Sequence, residues 1–345
     1  MHEPLHPADA SSFALLAALT AFASATQDIA VDAWRIEAAQ AEVQGAMAAA
    51  YSVGYQLALL VAGAGALFTA AAYGWTSAYC LVAACLGVGM LTTLFIAEPE
   101  ARVDRATLAQ EARVVAFLER SAHWPRALRQ AMAWVIGAVV CPFVDFFSRQ
   151  GLRLGVPMLL LILTYRLNYT TMGVAANAFY IDLGFTLKQI GAVSKIYGVL
   201  MTIAGGLLGG LLVARYSIYR TLFAGLLLLS GANLFYAWLA GQHHPGVEWL
   251  AAAVSLDNIG NGIAGAAFIA YMSSLTNTAY TATQYALFGT LWSLPAKTIA
   301  GFWGGIVNAF GYPPFFVYTA AIALPAALLI LYLMRLPPEP APGRP

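Results

Sequence analysis

Apolar residues in this chain gather into runs of about 20, separated by short polar turns, with no sustained two-residue alternation. Uninterrupted stretches such as Leu159 to Leu163 do not fit a barrel strand, whose lipid-facing side chains recur at every second position. Nine such runs predict nine membrane-spanning helices, at about residues 12–34, 47–70, 76–97, 155–180, 190–213, 219–240, 249–275, 283–309 and 313–334. The predicted fold class is therefore all-α, a polytopic helical membrane protein. Residues 98–153 form the one long polar connection. Within it, Ala131 to Phe147 is apolar but short, and it contains Pro142 and Asp145, so it predicts an interfacial helix rather than a further span.

Composition strengthens this picture. Hydrophobic residues make up 61% of the 345 positions and charged residues 10%, against roughly 25% charged in soluble domains. The net charge of +1 gives no basic surface for nucleic acid. The basic residues sort by side. Arg102, Arg105, Arg113, Arg120, Arg126, Arg129, Arg149 and Arg153 lie in the long connection, Arg215 and Arg220 in the next turn on that side, and Arg335 and Arg344 at the C-terminus. Arg35 follows the first span on the same side. The opposite loops, 70–76, 181–189, 241–248 and 309–313, carry one basic residue, Lys188. Lys and Arg accumulate in cytoplasmic loops, so the N-terminus is expected outside and the C-terminus inside. Met1 to Ala10 hold no Lys or Arg and no cleavage pattern follows, so no signal peptide is expected.

Ionisable residues inside spans cost about 2.5–3.5 kcal/mol on insertion scales and call for a reason. Asp28 and Asp32 in the first span are four apart and share a helix face, with Arg35 able to pair with Asp32. They read either as a structural charge cluster or as a proton-responsive or gating pair. Arg166 in the fourth span and Lys195 in the fifth either pair or snorkel, or offer a cationic contact to an anionic solute. Lys297 lies mid-span beside Pro295, where snorkelling is hardest. Asp257, Asn258 and Asn261 share a face by spacing and suit a polar solute or a facing helix. Gly205-Gly206-Leu-Leu-Gly209-Gly210 supplies two overlapping GxxxG registers and Gly301-Phe-Trp-Gly304-Gly305 another, signatures of close helix packing.

Enzyme chemistry finds no foothold. All five histidines lie outside the spans, and no GxSxG, HExxH or phosphate loop is present. Cys80, Cys85 and Cys141 form no CxxC pair and read as small apolar residues. No metal or cofactor is expected. A multi-span lipid or glycan transferase is the alternative from another class, but its loops would need catalytic carboxylates or histidines.

The stretch Ser24-Ala-Thr-Gln-Asp28-Ile-Ala-Val-Asp32-Ala-Trp-Arg35 resembles a motif of the AmpG family of anhydromuropeptide permeases, within the major facilitator superfamily. The likeness continues through Tyr51-Ser-Val-Gly54-Tyr55, Val61-Ala-Gly63, Pro142-Phe-Val-Asp145-Phe-Phe147, Phe179 to Phe185, Ser194-Lys195, Gly210 to Arg220 and Thr281-Ala-Thr-Gln284-Tyr-Ala-Leu287. It implies that the nine spans correspond to helices four to twelve of a twelve-helix fold. On that layout residues 1–97 are three helices of the N-terminal bundle, 98–153 the cytoplasmic linker, 154–335 the six-helix C-terminal bundle and 336–345 the tail. A start codon assigned too late or an incomplete gene prediction would give that shortening and the outside N-terminus. The resemblance further implies proton-driven import of GlcNAc-anhydroMurNAc, with or without peptide, across the bacterial inner membrane. It places Asp28, Asp32, Lys195, Asp257 and Gln284 in or near the pathway. Tyr169 departs from the family, where an aspartate is common, so Arg166 must find a different partner. The remaining alternatives are a related permease for acetyl-CoA or a siderophore-type solute, and a remnant that does not transport.

Overall fold

The computed structural model describes residues 7–38, 43–96, 105–243, 245–277 and 280–336, and every element among them is helical. The first span is α1 (Pro7–Glu37). The second is α2 (Gln44–Leu60), a π-turn at Val61–Gly65 and α3 (Ala66–Tyr73). The third is α4 (Trp75–Phe95). The polar connection holds α5 (Arg105–Arg120) and α6 (Arg126–Val135), followed by a π-turn at Ile136–Val140. The fourth span is split into α7 (Cys141–Tyr165) and α8 (Leu167–Asp182). The fifth runs through α9 (Leu187–Ile190), a π-turn at Gly191–Tyr197 and α10 (Gly198–Arg215). The sixth and seventh are α11 (Ile218–Leu239) and α12 (Val247–Leu275). The eighth divides at Gly301 into α13 (Thr281–Ala300) and α14 (Trp303–Phe310). The ninth divides into α15 (Tyr312–Ala321) and α16 (Leu324–Arg335).

Five described helical stretches are both long and apolar enough to cross a membrane: Trp75–Phe95, Arg126–Asp182, Lys188–Arg215, Ile218–Leu239 and Tyr312–Arg335. Helices α1 and α12 are as long, at 31 and 29 residues, but polar side chains such as Asp28, Asp32, Asp257 and Asn261 interrupt them. The apolar segment at 131–147 belongs to a helical run that begins at Arg126 and kinks at Gly151, where φ is +65°. Cys141 and Phe146 on it are fully buried in protein. Pro142 does not stop the helix, because the π-turn just before it has already shifted the hydrogen-bond register where proline has no N–H to give.

The chain divides into two compact units, one of residues 1–39, 98–145 and 276–287, the other of residues 40–97, 146–275 and 288–345. In the larger unit α10 packs against both α12 and α2. The glycines explain how. A Cβ on Gly205 would collide with the Ile259 carbonyl, and one on Gly209 would lie 2.8 Å from the Ile263 Cα, both on α12. A Cβ on Gly210 would lie 2.7 Å from the Ala49 Cβ of α2, and Gly206 faces Ser52 of the same helix. The two GxxxG registers therefore serve two different partners. Gly262 on α12 returns the contact, since its Cβ would collide with the Thr202 carbonyl.

A second centre is aromatic. Phe179 of α8 has ring centroids at 4.7 Å (Phe316), 5.0 Å (Tyr312) and 6.0 Å (Tyr236). These rings draw α8, α11 and α15 together, and edge-to-face pairs of this kind add about 0.5–1.5 kcal/mol each beyond burial. By contrast, α4 buries only Ala78 among the described residues and exposes Tyr79, Leu86, Leu94 and Phe95.

Gly205→Ala and Gly209→Ala are expected to destabilise the detergent-solubilised protein by about 1–3 kcal/mol, because the atoms they meet are backbone. Gly231→Ala, inside α11 with open space at its Cβ, serves as the control and should not lower the melting temperature. Equal melting temperatures for all three would contradict the packing.

Candidate functional site

The fourth span breaks at Arg166, whose backbone (φ −96°, ψ 1°) leaves the helix between α7 and α8. Asn168 accommodates the break by accepting the Tyr169 N–H at 2.7 Å. The freed guanidinium reaches α12, where one terminal nitrogen donates to Asn261 Oδ1 at 3.1 Å. Its carbon lies 4.5 Å from the centroid of the Tyr169 ring, in cation–π contact. The partner that Arg166 was expected to need is thus a neutral amide together with an aromatic face.

Asp257, one helical turn before Asn261, is 9% exposed and feels the Arg166 charge. Among the described residues no side chain hydrogen-bonds it. Tyr169, Tyr180 and Tyr236 all lie within electrostatic reach of this carboxylate, and Tyr55 on α2 reaches Tyr169. Tyr180 and Tyr236 bond each other through their hydroxyls at 2.8 Å. Direct contacts thus join Arg166 to Asn261 and Tyr169, and Tyr180 to Tyr236, while Asp257 and Tyr55 lie within electrostatic reach, so that one cation, one carboxylate, one amide and four phenols of the larger unit make up a polar cluster. Sequence reasoning picked out Arg166, Asp257 and Asn261 but passed over Tyr180 and Tyr236. Two tyrosines near the same-side ends of their spans, Tyr180 at the end of 155–180 and Tyr236 in 219–240, were the available signal.

Asn258 does not join them. Its Oδ1 accepts from Thr202 Oγ1 at 2.8 Å and its Nδ2 donates to the Val254 carbonyl at 2.8 Å, so both ends are spent on the α10–α12 contact. Lys195, in the π-turn before α10, and Lys297, in the last turn of α13, are exposed and bonded to none of the cluster.

The smaller unit carries a different polar set. Asp28 is exposed on α1, whereas Asp32 is half-buried with its carboxylate 3.6 Å from Arg35, in an ion pair. Arg35, 2% exposed, stands 5.3 Å over the Tyr285 ring. Gln284 is 1% exposed and uses both ends of its amide. Its oxygen accepts the Asn277 N–H at 2.7 Å, and its nitrogen donates to the Pro142 carbonyl at 2.9 Å and to Asp145 at 3.0 Å. Asn277 Nδ2 donates to both oxygens of Asp145, at 3.1 and 3.2 Å. This knot ties the start of α7 to the turn before α13. Asp145, which in the sequence argues against a span and belongs to the family-like stretch Pro142 to Phe147, is placed here by its own bonding.

Residues 5–296 match the Major Facilitator Superfamily. A putative transporter AmpG 4 of Rickettsia conorii is 31% identical over 325 residues, covering 94% of this chain and 72% of that protein. Its counterpart in Rickettsia felis is 30% identical over 91% of this chain and 70% of the relative. The anhydromuropeptide permease of Escherichia coli K12 is 34% identical over 92% of this chain, which spans 59% of the permease's length. The chain belongs to the AmpG-type transporters of the major facilitator superfamily. It is a multi-pass membrane protein of a transporter family, and the helical fold described above is the expected one.

For an AmpG-type transporter the two polar sets invite different tests. Gln284→Leu removes an amide donor from the buried Asp145 carboxylate and is expected to lower stability by about 1–3 kcal/mol, read as a fall in melting temperature. Because Gln284 is fully used by protein atoms, the same change should leave solute affinity unaltered. An unchanged melting temperature with weakened binding would place Gln284 in the pathway instead.

Proposed function

We propose that this chain carries cell-wall-derived anhydromuropeptides, GlcNAc-anhydroMurNAc with or without attached peptide, across the bacterial inner membrane into the cytoplasm in symport with protons. The observation that carries the reading is the 34% identity to an anhydromuropeptide permease along 92% of the chain. The buried cluster supports it chemically. Phenol rings suit the faces of sugar rings, amides and hydroxyls suit their hydroxyl and acetamido groups, and a carboxylate such as Asp257 is a group able to carry a proton. Intramembrane ionisable residues are functional candidates by default, and Arg166 and Asp257 lie together at a helix break, the arrangement by which transporters expose backbone and side chains to a solute.

The layout that accompanies this function puts the arginine-rich 98–153 segment and the C-terminus in the cytoplasm and the first described helix entering from outside. Residues 1–97 then belong to one helical bundle and residues 154–335 to the other, joined by the 98–153 linker. Asp28 and Asp32, at the cytoplasmic end of α1 in this arrangement, act as gating or proton-responsive carboxylates.

The test is accumulation of radiolabelled GlcNAc-anhydroMurNAc by permease-deficient cells expressing this chain. Uptake above the vector control that collapses on adding a protonophore is the expected result. Uptake that persists with the protonophore would remove proton coupling. Absence of uptake would overturn the proposal for this chain, leaving a different solute or a remnant that does not transport.

A further inference from the structure

The Arg166 guanidinium has five N–H donors, and a single side-chain hydrogen bond, to Asn261, is formed among the described residues. Among the described residues no carboxylate forms an ion pair with it. Neither of its contacts removes its charge. Asn261 is neutral, and the Tyr169 ring attracts the cation through its quadrupole without neutralising it. The guanidinium is only part-buried, so its remaining donors are open to a ligand. Asp257 is the mirror case, nine-tenths buried, without a hydrogen-bond donor among the described residues and within the field of the same arginine. A cation and a carboxylate held near each other but unbonded, in a medium where unpaired charge is expensive, describe a site with room for a further charged group.

We infer that Arg166, clamped by Asn261 and Tyr169, is the docking point for a carboxylate carried by the solute, with Asp257 as the alternative counter-ion for the same cation. The solute's carboxylate takes the open side of the guanidinium fork, for which bidentate pairing is the preferred geometry. Two carboxylates then share one cation, and the charge of the site closes when a proton accompanies the solute. The groups facing Asp257 fit this scheme: Arg166 is the cation, and Tyr169, Tyr180 and Tyr236, with Tyr55 beyond them, are neutral phenols that add no competing charge. Tyr169 is then a specificity residue, because an aromatic face positions Arg166 while leaving its positive charge available. The inference rests on the transport reading above for its solute, yet it concerns the recognised group alone.

The experiment uses the purified full chain and two sugars that differ by the lactyl carboxylate, N-acetylmuramic acid and N-acetylglucosamine, with affinity read from intrinsic tryptophan fluorescence. N-acetylmuramic acid should bind at least about tenfold more tightly, the scale of one charge-assisted hydrogen bond. Arg166→Gln should abolish that difference, Arg166→Lys should keep part of it, and Asp257→Asn should strengthen acid binding by removing the competitor. Size-exclusion profiles confirm that each variant folds. Equal binding of the two sugars by the unmodified chain, or discrimination that survives Arg166→Gln, overturns the inference. Discrimination through Arg166 without uptake of the labelled disaccharide would leave this inference standing and remove the muropeptide reading. Uptake without discrimination would do the reverse.

Discussion

Close backbone approach between helices is the contact on which the larger unit depends. Burial against lipid gives helices little reason to associate, because the hydrocarbon is as apolar as their side chains. What holds them is van der Waals contact at short range and the hydrogen bonds that short range permits. On α10, Gly205 and Gly209 present bare backbone to α12, while Gly206 and Gly210 turn the next strip of the helix to α2. Thr202 and Asn258 bond across the first of these seams. Since α12 carries Asp257 and Asn261, and α2 carries Tyr55, the same four glycines set where the polar cluster can form.

The polar side chains obey the opposite economy. In a low-dielectric interior each must be bonded or must have a task, and the two units settle this differently. In the smaller unit Asp145 collects amide donors from Asn277 and Gln284, and Gln284 spends both of its ends. The larger unit leaves Arg166 half-committed and Asp257 unbonded. Saturation specifies a structure, whereas incomplete pairing leaves capacity for a ligand and a proton. On the function proposed above, that difference separates residues that hold the protein together from those that meet the solute.

Much of this was legible in the sequence. The long apolar runs, the glycine registers and the intramembrane charges follow from length, spacing and the cost of burying charge, and the SATQD-type stretch pointed to the family. Three features were not. The break at Arg166 has no glycine or proline at the break itself, and Pro157 and Pro295 lie inside helices that run on past them, so the usual punctuation misleads. Asp257, Asn258 and Asn261 look equivalent by spacing, yet Asn258 is claimed by Thr202 on a neighbouring helix. Gln284 resembled a pathway residue because its motif did, and only its three partners, including one from 142 residues away in sequence, show it to be bonded within the protein. Local pattern carries an element's existence; which neighbour takes up a side chain is a tertiary fact.

The proposed transport function requires the cluster around Arg166 and Asp257 to be reachable by water from each side of the membrane in turn. Tyr55, 58% exposed and within reach of Tyr169, offers the most direct probe. In a chain with Cys80, Cys85 and Cys141 replaced by alanine, Tyr55→Cys should react with a membrane-impermeant thiol reagent added to spheroplasts and, separately, to inverted vesicles. Reaction from both sides is the predicted result. Absence of reaction from either side would mean that this face meets lipid, and the account of the site would be wrong.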